Sequence, residues 1–420
     1  MKSTVLLLSA LFPLAASAQQ KSAPSWPQYR GPNGDGSTVE KIAKPWTSSG
    51  PKEVWKNPAT KGFSSITVGE SIATTLMTRD NEGVPTETCV AWDAKTGKEL
   101  WAVSLKMAKY DGGGDSGGPG DGPRSTPSIS GGKVFVLGGN LDLYALDAKT
   151  GKIGWKSDLV ADYKAKNIKW QSAASPILDG NLCIVMAGGS GQSFLAFEQA
   201  SGQLVWKGED DAITQATPTL ATLHGQRQIV FFTQSGLAGV DVKNGKILWR
   251  QPYPYKISTA ASPIVWQDIV YCSAGYGVGG GAFKIKKEGL SSFSSSELWR
   301  TEGKNINHWS TPVCKDGYLY GMFSFKDYGK GPVACVDIRT GEKEWEKEGF
   351  GPGNVILSGD QLLILSDKGE LVLAAADPSG YKELARAGVL QGKCWSTPTL
   401  VGGYVFARST AEAGCFELPR

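Results

Sequence analysis

The sequence predicts an all-β fold: an eight-bladed β-propeller of four-stranded antiparallel blades, with the ring closed by an N-terminal strand. Three observations predict it. A short segment that ends in tryptophan recurs along the chain, and a small residue followed by proline precedes its copies. Between these markers lie short apolar runs with the length and alternation of strands. The 54 glycines among 420 residues suit a chain with many turns.

The recurring segment is clearest in residues 91–101 and 145–155, which share the run Asp-Ala-Lys-Thr-Gly-Lys, and weaker copies occupy residues 196–206, 239–249 and 335–345. In each copy an acidic residue stands eight positions before the tryptophan, and the pairs are Asp93 and Trp101, Asp147 and Trp155, Glu198 and Trp206, Asp241 and Trp249, and Asp337 and Trp345. Trp55 and Trp299 end two degenerate copies. The mean spacing from Trp55 to Trp345 is about 48 residues, which is typical of propeller blades.

The proline marker gives the number of blades. It appears as Thr126-Pro127, Ser175-Pro176, Thr217-Pro218, Ser262-Pro263, Thr311-Pro312 and Thr397-Pro398. Pro312 and Pro398 lie two periods apart, so residues 354–384 form a further copy with a degenerate start, and Ser64-Ser65 begins the first copy. The markers therefore predict eight units. The last unit ends without a tryptophan, and residues 51–55 resemble its missing outer strand.

Each repeated segment is expected to form a tight turn between the two outer strands of a blade. The aspartate carboxylate can accept the N–H groups of the turn, and the glycine that follows tolerates a positive φ. The tryptophan then buries its ring between neighbouring blades, with its N–H hydrogen-bonded. We expect the propeller to comprise residues 51–420 and residues 19–50 to form an N-terminal arm.

The first 18 residues are predicted to be a signal peptide. Lys2 precedes an apolar stretch, and Ala16-Ser17-Ala18 is a small-residue cleavage site, with cleavage after Ala18. No later apolar run is long enough for a transmembrane segment, and no cysteine near the cleavage site can accept a lipid. The protein is therefore expected to be periplasmic or secreted.

Composition excludes several classes of function. Two histidines cannot form a histidine zinc centre, no Cys-x-x-Cys-His motif binds haem, and Lys and Arg are spread too evenly for nucleic-acid binding. No metal site is predicted. The seven cysteines are an odd number, and their expected role is as small apolar residues inside strands.

The glycine-rich loop at residues 109–123 contains Gly-Asp-Ser-Gly-Gly-Pro, the run around the nucleophile of chymotrypsin-like proteases. Those enzymes need an upstream histidine, whereas His224 and His308 both lie downstream, so this role is rejected. The loop also carries Asp111, Asp115 and Asp121. Their spacing lacks the rhythm of a calcium loop, so a solvated loop is favoured and its role stays open.

The segments before the proline markers are expected to meet at one mouth of the channel. They contribute the candidate ligand-binding residues Arg124, Trp170, Gln171, Gln215, His308, Trp309, Lys393 and Trp395, together with Thr259 and Asn307. Aromatic faces, amides and two cations suit a planar anionic ligand. The alternative, which is the commoner role for such residues, is that they pack the channel and bridge blades. His308 is the one candidate base at neutral pH, and no catalytic residue is assigned.

With these repeats, the chain resembles the pyrroloquinoline quinone (PQQ)-like β-propeller repeat family of the quinoprotein alcohol dehydrogenase-like superfamily. Residues 26–32, Trp-Pro-Gln-Tyr-Arg-Gly-Pro, and the runs at 382–386 and 395–398 are similar to an exported bacterial subgroup. One branch of the superfamily, the dehydrogenases, holds PQQ and calcium in the channel beneath a disulfide of adjacent cysteines, which this chain lacks. The other branch is the propeller subunit of the outer-membrane β-barrel assembly machinery, a non-enzymatic lipoprotein.

The resemblance therefore implies a non-catalytic binding or assembly scaffold in the cell envelope. We expect a monomeric propeller with protein partners and no cofactor. The alternative is a PQQ-dependent oxidoreductase, an alcohol or sugar dehydrogenase with PQQ and calcium in the central channel.

Overall fold

Eight sheets form a closed ring in the computed structural model, which describes residues 24–110, 122–290, 292–325 and 327–419. Two strands precede the first blade, β1 (Ser37–Thr38) and β2 (Lys52–Pro58). The first four blades consist of β3 (Thr67–Gly69), β4 (Ile72–Asn81), β5 (Val84–Asp93) and β6 (Glu99–Met107); β7 (Ser128–Ser130), β8 (Lys133–Leu137), β9 (Asp142–Asp147) and β10 (Ile153–Asp158); β11 (Ile177–Asp179), β12 (Leu182–Gly189), β13 (Gln192–Glu198) and β14 (Leu204–Gly208); and β15 (Thr219–Leu223), β16 (Gln226–Thr233), β17 (Gly236–Asp241) and β18 (Ile247–Pro252).

The remaining blades follow the same order. They consist of β19 (Ile264–Trp266), β20 (Ile269–Ala274), β21 (Gly279–Lys287) and β22 (Phe293–Thr301); β23 (Val313–Lys315), β24 (Tyr318–Met322), β25 (Val333–Asp337) and β26 (Lys343–Lys347); β27 (Asn354–Ser358), β28 (Gln361–Leu365), β29 (Glu370–Ala375) and β30 (Glu383–Gly388); and β31 (Thr399–Val401), β32 (Tyr404–Arg408) and β33 (Glu412–Glu417). One short helix, α1 (Leu159–Tyr163), follows β10, and the Asp158 carboxylate caps it.

The first strand of each blade is the innermost, and the predicted propeller is confirmed. Blades are antiparallel throughout, and inner strand β3 contacts both β7 and β31, which joins the first blade to the second and the eighth. β2 pairs antiparallel with β33 and places Trp55 opposite Cys415. The N-terminal strand therefore supplies the outer strand of the last blade, as predicted.

The repeated segments lock neighbouring blades together. Trp101, on the outer strand of blade 1, donates its indole N–H to the Ala148 carbonyl of blade 2 at 3.0 Å. Its ring packs against Gly151, where φ is +72° and a Cβ would come within 2.9 Å of the ring. Four other tryptophans make the same contact with the next blade, and the pairs are Trp55 with Ala94 and Gly97, Trp155 with Gln199 and Gly202, Trp206 with Val242 and Gly245, and Trp299 with Ile338 and Gly341. We call this contact the blade latch.

The acidic residue of each copy shapes the turn that receives the latch. Asp147 Oδ1 accepts from the backbone N–H of Lys149 and Thr150, at 3.1 and 2.9 Å, and from the Thr150 hydroxyl at 2.8 Å. These donors lower the pKa of Asp147. The other copies use related bonds: Asp93 with Lys95 and Thr96, Glu198 with Ser201, Asp241 with Lys243, and Asp337 with Arg339. A carboxylate thus replaces the missing backbone acceptors of a tight turn.

The N-terminal arm crosses the base of the channel. Trp26 exchanges backbone hydrogen bonds with Val68 of blade 1, at 2.8 and 2.9 Å, and the Pro27 carbonyl accepts from Ile129 of blade 2. On the far side of the ring, β1 pairs parallel with β27 of blade 7. In a ring of eight, blade 2 lies opposite blade 6, and the arm contacts blade 2 through Pro27 and blade 6 through Arg30, so the arm spans the channel.

Arg30 fixes the arm to blade 6. Its side chain is 1% exposed and donates to the carbonyls of Thr311, Pro312 and Asp35 at 2.8, 2.7 and 2.6 Å. Burial lowers the pKa of this guanidinium, and the three carbonyls compensate its desolvation. The arm is therefore an integral part of the propeller core.

None of the seven cysteines, all within the described residues, forms a disulfide. Six are buried and Cys314 is half-buried, and burial raises the pKa of the Cys89 thiol to about 12. Among the described residues, no helix has the length and apolar character needed to cross a membrane.

Candidate functional site

A cavity of about 390 Å³ opens at the mouth of the channel, at the end where the proline markers enter the blades. Seven of the ten residues predicted for the mouth line it, namely Arg124, Trp170, Gln215, His308, Trp309, Lys393 and Trp395, whereas the buried Thr259 and Asn307 do not. Gln171 is outside the lining; it is buried, with a left-handed backbone (φ +62°). Tyr29 of the arm also lines the cavity. Because the arm crosses the opposite end of the channel, Tyr29 forms the floor.

Stacked aromatic rings form one wall of the cavity. The Trp309 and Trp395 rings lie 4.6 Å apart with an interplanar angle of 20°. Tyr328 stacks on Trp395 at 5.5 Å and 9°, and Phe63 contacts Trp395 at 4.7 Å. These rings come from three different blades, and they hold each other in place by offset stacking.

The two cations of the site lie over aromatic rings. Lys393 Nζ is 4.4 Å from the centre of the Trp395 ring, within the range of a cation–π contact. The Arg124 guanidinium lies 5.2 Å from the Tyr110 ring, and its Nη1 donates to the Trp170 carbonyl at 2.8 Å. The cavity therefore presents positive charge on a rigid aromatic support.

The amide side chains position neighbouring backbone segments. Gln215 Nε2 donates to the Lys169 carbonyl at 3.0 Å, and Asn354 Nδ2 donates to the Trp395 carbonyl at 2.6 Å. Each bond joins segments from two blades. These amides hold Trp170 and Trp395 at the cavity through their backbones, and the buried Gln215 Oε1 has no partner among the described residues.

His308 is enclosed by aromatic rings. It is 2% exposed, and the rings of Tyr276, Phe325 and Trp309 surround it at 5.4, 5.0 and 5.0 Å. Its Nε2 lies 3.4 Å from the Ser258 hydroxyl. Its carbonyl accepts from the backbone of Ala260 and Ala261. This environment supports packing between blades 5 and 6.

The donor set does not fit the calcium-bound cofactor of the dehydrogenase branch. Among the described lining residues there is no aspartate or glutamate, whereas calcium prefers several carboxylate and carbonyl oxygens. The described residues also contain no group of three His, Cys, Asp or Glu able to hold a metal ion. The loop with Asp111, Asp115 and Asp121 lies outside the described residues.

Several lining residues are not predicted from sequence: Tyr29, Phe63, Tyr276, Tyr328 and Asn354. Phe63 precedes one degenerate copy and Asn354 begins another, and the markers of both copies are weak. Tyr276 and Tyr328 belong to hairpin loops within blades, which carry no repeat signal. For Tyr29 the signal is the run at residues 26–32, but its place in the channel depends on the whole ring.

Known proteins resemble this chain in both sequence and fold. A family model described as outer membrane protein assembly factor BamB matches residues 85–322, more than half of the chain. BamB of Yersinia pestis is 20% identical over 376 residues, which cover 88% of this chain and 78% of that protein. The crystal structure of BamB from Moraxella catarrhalis has a TM-score of 0.59, with 15% identity, and covers 88% of this chain and all of that one.

Dehydrogenases share the fold as well. Quinohemoprotein alcohol dehydrogenase from Comamonas testosteroni has a TM-score of 0.64 at 12% identity, covering 96% of this chain and 82% of that one. At this identity the likeness shows the fold alone, and membership of a family is shown by the family model. The chain belongs to the PQQ-like repeat propeller family whose model is described as outer membrane protein assembly factor BamB.

Proposed function

We propose that this protein is a non-catalytic binding scaffold of the cell envelope, and that the channel mouth binds an acidic segment of a protein partner. The observation that carries the proposal is the lining of the cavity. Lys393 and Arg124 bring positive charge to the mouth, where both lie over aromatic rings. An acidic side chain would gain attraction from both cations and contact with the rings.

The relatives support the same role. The matched proteins are named as factors of outer membrane protein assembly, and we propose an assembly role in the periplasm, without a cofactor, for this chain also. The rigid stack of Trp309 and Trp395 supports binding without large rearrangement, because aromatic anchors lose little conformational freedom on binding.

The test compares K393E with K152E. Lys393 is an exposed residue of the mouth, and Lys152 is an exposed lysine in the outer turn after β9, outside the cavity lining. Tagged proteins would be crosslinked in envelope extracts, and captured partners identified by mass spectrometry. We expect K393E to capture at least about tenfold less of a specific partner that the wild type and K152E both capture. Equal capture by both variants contradicts the proposed surface.

A second assay tests the scaffold role against the dehydrogenase alternative. Purified protein is titrated with PQQ and calcium, followed by absorbance, and dye-linked alcohol oxidation is measured. We expect neither saturable binding nor turnover, because the described lining has no carboxylates for calcium. Saturable binding with turnover would overturn the scaffold role.

A further inference from the structure

Two carboxyl groups meet in the interior between blades 1 and 2, away from the cavity lining. Glu87 on β5 is 0% exposed, and Asp142 on β9 is 2% exposed. Both approach the α-carbon of Gly138: a Cβ there would be 2.9 Å from Glu87 Oε2 and 2.8 Å from Asp142 Oδ1. The two groups therefore converge on one point, which only glycine leaves open.

The two carboxyls have unequal partners. Glu87 accepts from the Tyr110 hydroxyl and from the Gly139 N–H, at 3.0 Å to Oε2. Neither oxygen of Asp142 has a hydrogen bond of ordinary geometry among the described residues, although the Tyr144 hydroxyl lies close enough to lower its pKa in part. A buried carboxylate without partners is strongly disfavoured, and two that face each other disfavour double ionisation further. The geometry thus favours a proton on the pair.

The surrounding charges do not remove this preference. The charged and titratable groups near the pair are Tyr110, Arg124, Lys106, Tyr144 and Asp158. Lys106 is 2.8 Å from Asp158, which shares its charge, and Arg124 lies over the Tyr110 ring. Burial is the largest cause at both acids: it raises the pKa of Glu87 to about 7 and raises the pKa of Asp142.

Hydrogen bonds connect this pair to the channel mouth. The Gly139 carbonyl accepts from the Ser172 N–H at 3.1 Å and from Asn167 Nδ2 at 2.8 Å, in the segment of blade 3 that carries Trp170. Arg124 joins the same segment through the Trp170 carbonyl. Tyr110 therefore links Glu87 on one side to Arg124 on the other, and Gly139 links Glu87 to blade 3.

We propose that Glu87 and Asp142 form a proton-operated latch that joins blades 1, 2 and 3 and holds Arg124 and Trp170 at the channel mouth. With one proton bound, the pair carries a single negative charge and stays packed against Gly138. Loss of that proton to solvent leaves two facing carboxylates, which repel and loosen the contacts of Tyr110 and Gly139. Only the effect of the latch on binding at the mouth rests on the proposed function.

The direction of the pH effect follows from linkage. The unfolded chain ionises Glu87 at its ordinary pKa of 4.5, whereas the folded chain keeps the proton up to about 7. Between these values the folded state binds more protons, so the stability of the fold decreases as pH rises through this window. Below it the contribution is fully present.

The experiment measures thermal unfolding between about pH 5 and about pH 8 in the wild type, E87Q and the control E99Q. Glu99 is an exposed strand carboxylate paired with Arg79. We expect Tm to fall with rising pH in the wild type and E99Q and to lose most of that fall in E87Q. Infrared titration should show a protonated carboxyl band that disappears near neutral pH and is absent in E87Q. An E87Q profile that follows the wild type overturns the latch.

Two further measurements keep the proposal testable if E87Q does not fold. D142N removes the facing charge, so the midpoint of the infrared titration should move to lower pH; an unmoved midpoint contradicts the pair. Calcium or EDTA added at neutral pH should leave Tm unchanged. A calcium-dependent Tm that D142N abolishes would identify a cation site and overturn the proton latch. These measurements need no partner, so they stand if the proposed function fails, and partner binding that is the same at both pH values refutes the effect on the mouth.

Discussion

Replacing Gly151 by alanine tests the blade latch. Gly151 has a φ of +72°, which disfavours any residue with a Cβ, and it packs directly against the Trp101 ring. The new methyl group would come within 2.9 Å of that ring, so Trp101 must move. Since its N–H is bound to the Ala148 carbonyl at 3.0 Å, the movement breaks the only described bond from this ring to blade 2.

The magnitude has two parts. A left-handed backbone conformation costs alanine about 1 kcal/mol relative to glycine. Loss of the Trp101 hydrogen bond, with a buried carbonyl left unpaired, costs about 1–2 kcal/mol more. We therefore expect G151A to lower the free energy of unfolding by about 2–3 kcal/mol.

The matched control is G132A, in the same blade. Gly132 has a φ of +73°, but nothing lies within 4 Å of the position of its Cβ. It measures the backbone part alone, about 1 kcal/mol. Both variants are compared by urea unfolding, monitored by circular dichroism. If both variants lose the same stability, the tryptophan contact contributes nothing, and the blade latch does not stabilise the fold.

Three other predictions follow from the contacts described above. R30M removes the donors to Thr311, Pro312 and Asp35 and should lower the free energy of unfolding by roughly 3 kcal/mol in urea; unchanged stability would show that the arm is dispensable. For Glu87, a pKa of about 7 against 4.5 corresponds to about 3 kcal/mol of stability lost between low and neutral pH, which calorimetry of wild type and E87Q should resolve. Partner binding at the mouth should weaken as salt is raised, since Lys393 is exposed, and salt-independent binding in interaction assays would contradict the role of this cation.

The repeats made most of the fold predictable from sequence. The Asp–Trp spacing marks the outer hairpin of each blade, and the small residue before proline marks the start of the inner strand. Together they mark the inner and outer edges of each sheet, and the length of the repeat places the two middle strands between them. Ring closure was predictable for the same reason, because a last blade without its tryptophan needs residues 51–55. Seven mouth residues followed, since equivalent positions of the blades converge on one axis.

Contacts that depend on the closed ring carry no such signal. Tyr29 reaches the cavity because the arm crosses the channel, and Arg30 is held by carbonyls about 280 positions away. Glu87 and Asp142 face each other across two blades. Every residue has a backbone carbonyl, whatever its side chain, so a carbonyl partner leaves no mark in the sequence. No local pattern therefore predicts the burial or the pairing of these side chains.

Trp249 shows that a repeat can keep its signature and change its contact. Its N–H binds Gln228 Oε1 of its own blade at 2.8 Å, and its ring lies over Gly239, where a Cβ would overlap it. In the two clearest copies the cross-strand partner of the tryptophan is alanine, as Ala91 opposite Trp101 shows. The blade that follows Trp249 also lacks the Asp-x-x-Thr-Gly turn, whose carbonyl and glycine contact the tryptophan ring at the other latches. The blade latch is therefore a property of two adjacent blades, and Trp249, which has no receiving turn, packs onto its own blade.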